Sequence, residues 1–380
     1  MQDVDIAIFG AGIAGASLAW RLAGHRNVLL LERESQPGTQ STGRSAAMFI
    51  ESYGPPAVRA LTRASRAFYE HPPEGFTDVA LLKPRGTLYL ATPGQEAELA
   101  RTRAELAATC PQLQVLDAAA TLALAPCLRP ECIHAGLYDP SAQDIDVHAL
   151  LQGFVRGLRQ RAGAHALRTG MALTAAVHDG AVWTLAFANG QTVRARSVVN
   201  AAGAWADELA PWFGAAPIGL VPHRRSAFTF RPPEGVNAAG WPAVIGIDES
   251  WYFKPDAGQL LGSPANADPT VPHDVVPEEL DIALGIHRIE AVSTLSIRRP
   301  SSTWAGLRSF VPDGELVIGF DEAAPGFFWL AAQGGYGIQS AAGASALADA
   351  LLRDAPLPEA LQREGVNPSA VSPRRLRHGA

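Results

Sequence analysis

Short runs of consecutive apolar residues mark the start of the chain. The first, Ile6-Ala7-Ile8-Phe9, stops at Gly10-Ala11-Gly12-Ile13-Ala14-Gly15, and the second, Val28 to Leu31, stops at Glu32. Apolar runs this short, bounded by turn formers, read as buried strands, and the small-residue stretch between them reads as a helix. Residues 57–70 and 95–109 carry helical spacing, and 146–161 predicts a third helix, started by Asp146. Residues 182–187 and 192–196 flank Ala188-Asn189-Gly190 and read as a hairpin. Residues 198–203 form a buried strand ending in small residues. From 218 to 297 the pattern is mostly short strands broken by prolines. Residues 307–318 and 327–332 return to strand, and Gly334-Gly335-Tyr336-Gly337 opens a final helix through Leu352. The tail from Asn367 is polar and basic and is expected to fray. No internal repeat or low-complexity tract is present.

The first of these elements carries chemistry. Strand, G-x-G-x-x-G turn, helix and second strand tipped by an acid form the order that binds a dinucleotide. Gly10 allows the tight turn, Gly12 lets backbone approach a pyrophosphate, Gly15 lets the helix pack closely, and Glu32 can accept from a ribose hydroxyl. The helix N-terminus offers free N–H groups to phosphate. The run 331–339 is a second glycine-rich entry into a helix, and helix N-termini attract electron-rich oxygens. Two such mouths far apart in sequence suggest a long ligand gripped at both ends. FAD fits, with its pyrophosphate at the first mouth and its ring edge at the second.

Composition narrows the classes. At 380 residues two domains are expected, and 47% hydrophobic residues suffice for their cores. A net charge of -6 without any basic run argues against nucleic acid and anionic membrane as main partners. Lys83 and Lys254 are the only lysines. No stretch approaches the length of a membrane-spanning helix. The first motif begins too near residue 1 for a secretory leader ahead of it, so a cytoplasmic protein is expected. Cys110, Cys127 and Cys132 lack metal or redox spacing and read as reduced thiols. His71, His148 and His223 form no metal-binding pattern, so no metal is expected. P-loop and nucleophile-elbow motifs are missing.

Several strings in chain order resemble the D-amino-acid oxidase superfamily of flavoproteins. They are the 10–15 motif with Glu32 and Arg33, then Ser41-Thr42-Gly43-Arg44-Ser45-Ala46-Ala47, Asn200-Ala201-Ala202-Gly203-Ala204-Trp205, 306–314 and 334–337. Within that superfamily, 224–228, 261–268 and 303–310 are most similar to the branch of bacterial D-arginine dehydrogenases. The resemblance implies an α/β fold: a Rossmann-like FAD-binding domain with a second α+β substrate domain on an antiparallel sheet. The first would take 1–82, 140–215 and 300–370, the second 83–139 and 216–299, with 371–380 a flexible tail. It implies non-covalent FAD, since no cysteine lies near Arg308 or the 334–337 loop. Cofactor contacts would come from Gly10, Gly12, Ile13, Ala14 and Gly15, from Glu32, Arg33, Ser41, Thr42, Ser45 and Ala46, and from Ala202, Gly203 and Trp205. Gly306, Arg308 and the stretch Gly334, Gly335, Tyr336, Gly337, Ile338, Gln339 would complete them.

The implied activity is oxidative deamination of a D-amino acid. A hydride leaves Cα for the flavin, and the imino acid hydrolyses to a 2-oxo acid and ammonia. A free α-carboxylate calls for a fixed Arg and phenol donors. Arg225, Arg308, Tyr53 and Tyr252 match those positions, and the Gly335 carbonyl matches a contact to the substrate amine. Two departures bear on the side chain. Thr87 stands where the arginine branch has a glutamate, and Met48 where it has a histidine. With Ile50, they predict a pocket for neutral, apolar side chains, unless Glu51 turns into it. Oxidation of secondary amines or 2-hydroxy acids is the alternative on the same fold. A non-catalytic flavin-binding subunit is a third reading, and the clamp residues argue against it. The electron acceptor, oxygen or a quinone, is not readable from these residues.

Overall fold

The computed structural model describes residues 2–377. Two large sheets and a small one organise them. The first sheet has eight strands in the order Leu173–His178, Trp183–Phe187, Thr192–Asn200, Gln2–Phe9, Val28–Leu31 and Leu167–Arg168, with Phe327–Ala331 and Val317–Phe320 branching from Thr192–Asn200. Gln2–Phe9 lies parallel to both its neighbours. It alternates across the sheet: Ile6 and Ile8 face one hydrophobic core, Ala7 and Phe9 the other. Both faces are covered, which is why the run reads as continuously apolar.

Helices Ile13–Leu22, Pro56–Glu70, Val147–Ala162 and Ala341–Leu352 cover the Ile6–Ile8 face. Asp146 caps the third of these, its carboxylate accepting from the Ala149 amide at 2.8 Å. The helix predicted to open at 334 begins at Ala341, so 334–340 is a run of turns ahead of it, and two short helices, Glu359–Arg363 and Pro368–Val371, follow it. That run is held off helical geometry by bonds such as the Gly334 amide to the Ser309 carbonyl, 3.0 Å.

The second sheet is mostly antiparallel. Its order is Asp268–Pro269, Val221–Phe230, Gln259–Ser263, Tyr252–Asp256, Ala243–Gly246, Thr87–Ala91, Ala135–Asp139 and Gln114–Leu116. Ser302–Phe310 pairs with Val221–Phe230 along nine residue pairs, so it belongs to this sheet and not to the first. Helix Glu279–Val292 covers one face through Ile282 and Ile289, which pack with Phe228 and Phe253. Met48–Phe49, Gln143–Ile145 and Leu82–Pro84 form the small third sheet. The tail is docked as far as it is described: Val371 and Pro373 are buried, Arg375 pairs with Asp313 at 2.6 Å and Arg377 with Asp321 at 3.1 Å. Basic residues that suggested fraying find acids on the first sheet's edge; residues 378–380 lie outside the described part.

Candidate active site

Three cavities of about 270, 130 and 80 Å³ follow one another along the junction of the two large sheets. The first shares Gly12, Ser41, Thr42, Ala201 and Gly203 with the second, and the second shares Arg225, Tyr252, Arg308 and Gly335 with the third. They make one continuous slot.

The slot starts at the glycine motif. Gly10 has φ of +99°, and a Cβ there would sit 2.3 Å from the Ala201 carbonyl oxygen. A Cβ on Gly15 would sit 1.9 Å from the Gly10 carbonyl oxygen. Both positions therefore demand glycine for packing. Gly12 caps the helix without any side-chain bond, which leaves its N-terminus open to the cavity. Thr42 Oγ1 accepts from the Ile13 amide at 3.0 Å, and Ala14 lines the second cavity. Glu32 accepts from the Ala11 and Glu34 amides at 2.7 and 2.9 Å. Each of its oxygens still has a lone pair for a hydroxyl. The Arg33 guanidinium lies 4.6 Å above the Trp205 ring, and both line the first cavity with Ala202 and Gly203.

The middle of the slot is bounded by Ser45, Ala46, Gly306 and the 333–338 turn run. Ser41, at the start of the turn Ser41–Arg44, donates to the Leu307 carbonyl at 2.6 Å. Gln333 Nε2 is buried and has no hydrogen-bond partner among the described residues. An orphaned donor on the cavity wall is costly unless a ligand acceptor meets it. With the helix N-terminus on the cavity wall and the glycine packing, it fits a long ligand carrying phosphates at one end and carbonyl oxygens at the other.

Arg225 and Arg308 project into the far end. Neither has a carboxylate within 4 Å among the described residues. Arg308 Nη1 donates to the Tyr53 hydroxyl at 3.1 Å, and Arg225 Nε donates to the Asn266 carbonyl at 2.7 Å. Burial, then the nearby Arg308 charge, push the Arg225 guanidinium below its ordinary value. A Cβ on Gly335 would come within 2.7 Å of Arg308 Nη1, so the glycine is what lets the guanidinium lie against the turn. Two unpaired cations beside Tyr53 and Tyr252 constitute an anion site.

Tyr336 and Gln339 have side-chain contacts within the protein. Tyr336 is not on the slot wall; its ring stands edge-on to Tyr53 at 5.1 Å. Gln339 touches the third cavity but commits its amide elsewhere, donating to the Tyr53 carbonyl and Thr62 and accepting from the Ile50 amide at 3.4 Å. Met48 and Ile50 line the third cavity as expected from the sequence. Thr87 does not, and its buried hydroxyl has no hydrogen-bond partner among the described residues. The reason is register. Tyr89 pairs with Ile245, which pairs with Tyr252, so these three form one row across the sheet facing the cavity. Thr87 pairs with Ala243, one row back, roughly 6.6 Å along the strand. Sequence reading missed Tyr89, Ile245, Glu249, Ala265 and Gln333. Period-2 spacing from Thr87 points to Tyr89 once the row is known; Glu249 carries no sequence signal. Glu51 is bound to Arg66 at 2.7 Å and does not line the cavity.

A slot of this form, on a parallel sheet opened by G-x-G-x-x-G and closed by an anion clamp, defines a flavin-dependent oxidoreductase. The chain belongs to the FAD dependent oxidoreductase (DAO) family, whose model matches residues 5–350, and its cofactor is FAD. It is similar to mitochondrial dimethylglycine dehydrogenase from Rattus norvegicus, 26% identical over 362 residues, covering 89% of this chain and 42% of that protein. The chain thus spans less than half the length of the curated relatives it matches. Its fold is shared by glycine oxidase from Geobacillus kaustophilus (TM-score 0.81, 22% identity, 94% of this chain and 96% of that one). It is also shared by L-proline dehydrogenase from P.horikoshii (TM-score 0.82, 19% identity, 100% and 99%). No helix among the described residues is long and apolar enough to cross a membrane.

Proposed function

We propose that the chain oxidises the Cα–N bond of a free amino acid, with D-amino acids as its substrates. The single observation that carries the reading is the pair of carboxylate-free guanidiniums, Arg225 and Arg308, converging with Tyr53 and Tyr252 at one end of the slot. An amino acid's carboxylate satisfies all four groups. The bound flavin supplies a two-electron acceptor. The protein's part is orientation: the clamp fixes the carboxylate, and the Gly335 carbonyl is available to accept from the amine. Loss of a hydride and an amine proton leaves an imino acid, which water converts to a 2-oxo acid and ammonia. Non-covalent attachment of the flavin is part of the same reading.

The D configuration rests on the motif resemblance, because the shared fold also serves an L-proline dehydrogenase and a glycine oxidase. A second reading, oxidation of N-methylated or unsubstituted glycines, is supported by the likeness to dimethylglycine dehydrogenase. The small third cavity, about 80 Å³, is compatible with either. The deciding experiment is anaerobic addition of D-amino acids, L-amino acids, glycine, sarcosine and dimethylglycine to the yellow holoprotein. Bleaching by D-amino acids supports the reading; bleaching only by glycine derivatives replaces it with the second. No bleaching by any amine refutes both.

A further inference from the structure

The side-chain end of the slot holds an acid that the strand positions do not supply. Glu249 lines the third cavity together with Tyr89, Ile245 and Met48, while its other side faces solvent at the mouth. It sits at the tip of the hairpin between Ala243–Gly246 and Tyr252–Asp256. Its backbone has φ of +54°, in the left-handed region. Gly or Asn is the usual occupant of such a turn position, and a glutamate there is held under backbone strain. Backbone strain of this kind collects at functional sites. The turn is pinned by the Glu249 amide to the Gly246 carbonyl at 2.8 Å and by Asp248 accepting from the Ser250 amide at 3.1 Å.

The Glu249 carboxylate has no hydrogen-bond or ion-pair partner among the described residues. The other acids nearby do: Glu51 with Arg66, Asp144 with Arg85 and Lys254, and Asp139 with Ser52 and Ser141. Crowding by the surrounding protein pushes its carboxyl up, against the pull of Arg225 and Arg308. The cavity is therefore dipolar, with two cations at the clamp and one acid at the mouth.

Resting on the amino-acid reading above, we infer that Glu249 sets the charge preference of the side-chain pocket. It favours a chain with an apolar stem, packed on Met48, Ile50 and Ile245, that ends in a cation, and it disfavours a second carboxylate. This replaces the preference for neutral side chains that followed from Thr87, because the acid reaches the pocket from the hairpin rather than from strand Thr87–Ala91.

Lysine and norleucine differ at the chain end by the ammonium, so the ratio of their kcat/KM isolates the charge. Holoenzyme is assayed with the reactive enantiomers of lysine, norleucine and glutamate, in wild type and in Glu249→Gln, which keeps the shape of the side chain. The expected result is a lysine-to-norleucine ratio above one in wild type, falling about tenfold in the variant through KM, as loss of a charge-assisted hydrogen bond predicts. Glutamate turnover should rise in the variant. A ratio that stays put while norleucine still turns over overturns the role of Glu249 and leaves the amino-acid reading standing. Failure of lysine with wild-type enzyme that is still bleached by other amino acids overturns the role of Glu249 alone, and the bleaching panel above decides the amino-acid reading separately.

Discussion

Replacing Arg308 by Met removes a buried guanidinium and keeps most of the apolar volume. The structure sets the size of the effect. Among the described residues Arg308 has no carboxylate within 4 Å and its Nη1 bonds only to Tyr53, at 3.1 Å, while Gly335 leaves the guanidinium room to face the cavity. Its remaining donors are free for a substrate carboxylate. One hydrogen bond to a charged group is worth roughly 1.5–3 kcal/mol. A loss of about 3 kcal/mol corresponds to about 10²-fold in kcat/KM, since each 1.4 kcal/mol is tenfold. The carboxylate does not change charge during the reaction, so the loss should fall mainly on KM. Arg225→Met should cost less, because Arg225 Nε is already committed to the Asn266 carbonyl. Arg308→Lys should fall between, keeping the charge without the planar fork. The assay is steady-state oxidation of whichever amino acid bleaches the flavin, with flavin content measured in each variant because Arg308 also borders the cofactor end of the slot. Arg308→Met protein that retains its flavin and wild-type kcat/KM would refute the clamp.

Gly10→Ala should lose FAD and melt earlier, since the new methyl meets the Ala201 carbonyl at 2.3 Å; the flavin-to-protein absorbance ratio checks it. Acid precipitation of wild-type protein should release the yellow chromophore into the supernatant, and colour left on the pellet would mean a covalent bond. Phe154→Ala should destabilise by roughly 3–5 kcal/mol, because Phe154 packs on Trp20, Phe68 and Phe76 at 5.6, 5.6 and 5.0 Å; calorimetry measures it. Burial pulls the Asp321 carboxyl up, but Trp329, the Ala323 and Ala324 amides and Arg377 outweigh it and hold the group below its ordinary value. Its contribution to stability is therefore complete above the ordinary carboxyl value of about 3.9 and lost as pH falls below it. Asp321→Asn should flatten that acid limb of the Tm profile.

The parts legible in the sequence were those decided locally. The turn at Gly10, the helix cap at Asp146 and the hairpin at 188–190 each follow from the residues that make them. The clamp residues were legible through motif resemblance, not through periodicity. What escaped depended on pairing between distant strands. Ser302–Phe310 looked continuous with the strands that follow it, yet nine pairs with Val221–Phe230 draw it into the second sheet. Thr87 looked like the pocket wall, but the parallel pairing of Thr87–Ala91 with Ala243–Gly246 decides which row faces the cavity, and that row holds Tyr89. Helix Ala341–Leu352 starts later than the glycine run suggests, because Gly334 bonds across to the Ser309 carbonyl and the residues after it close only isolated turns. Glu249 escaped because a left-handed glutamate in a hairpin turn has no compositional mark.

The same pairing that hid these features builds the clamp. Arg308 stands directly opposite His223 in the antiparallel pair, and Arg225 is two residues beyond His223 on the same strand. Residues two apart point to one face, and a directly opposed residue shares it, so Arg225 and Arg308 are diagonal neighbours on a single face. Diagonal Cα atoms on a sheet lie roughly 7–8 Å apart, close enough for long side chains to meet. Two cations so placed repel each other, and the depressed value of Arg225 records that repulsion together with burial. No ion pair relieves it: neither guanidinium has a carboxylate within 4 Å among the described residues, and Glu249 acts on them only from across the cavity. An anion between them does relieve it, and a carboxylate, with two oxygens for two guanidiniums, matches the spacing that the strand register imposes. The position of the clamp thus follows from one strand pairing, and shifting that register by a single residue would turn Arg308 to the opposite face of the sheet.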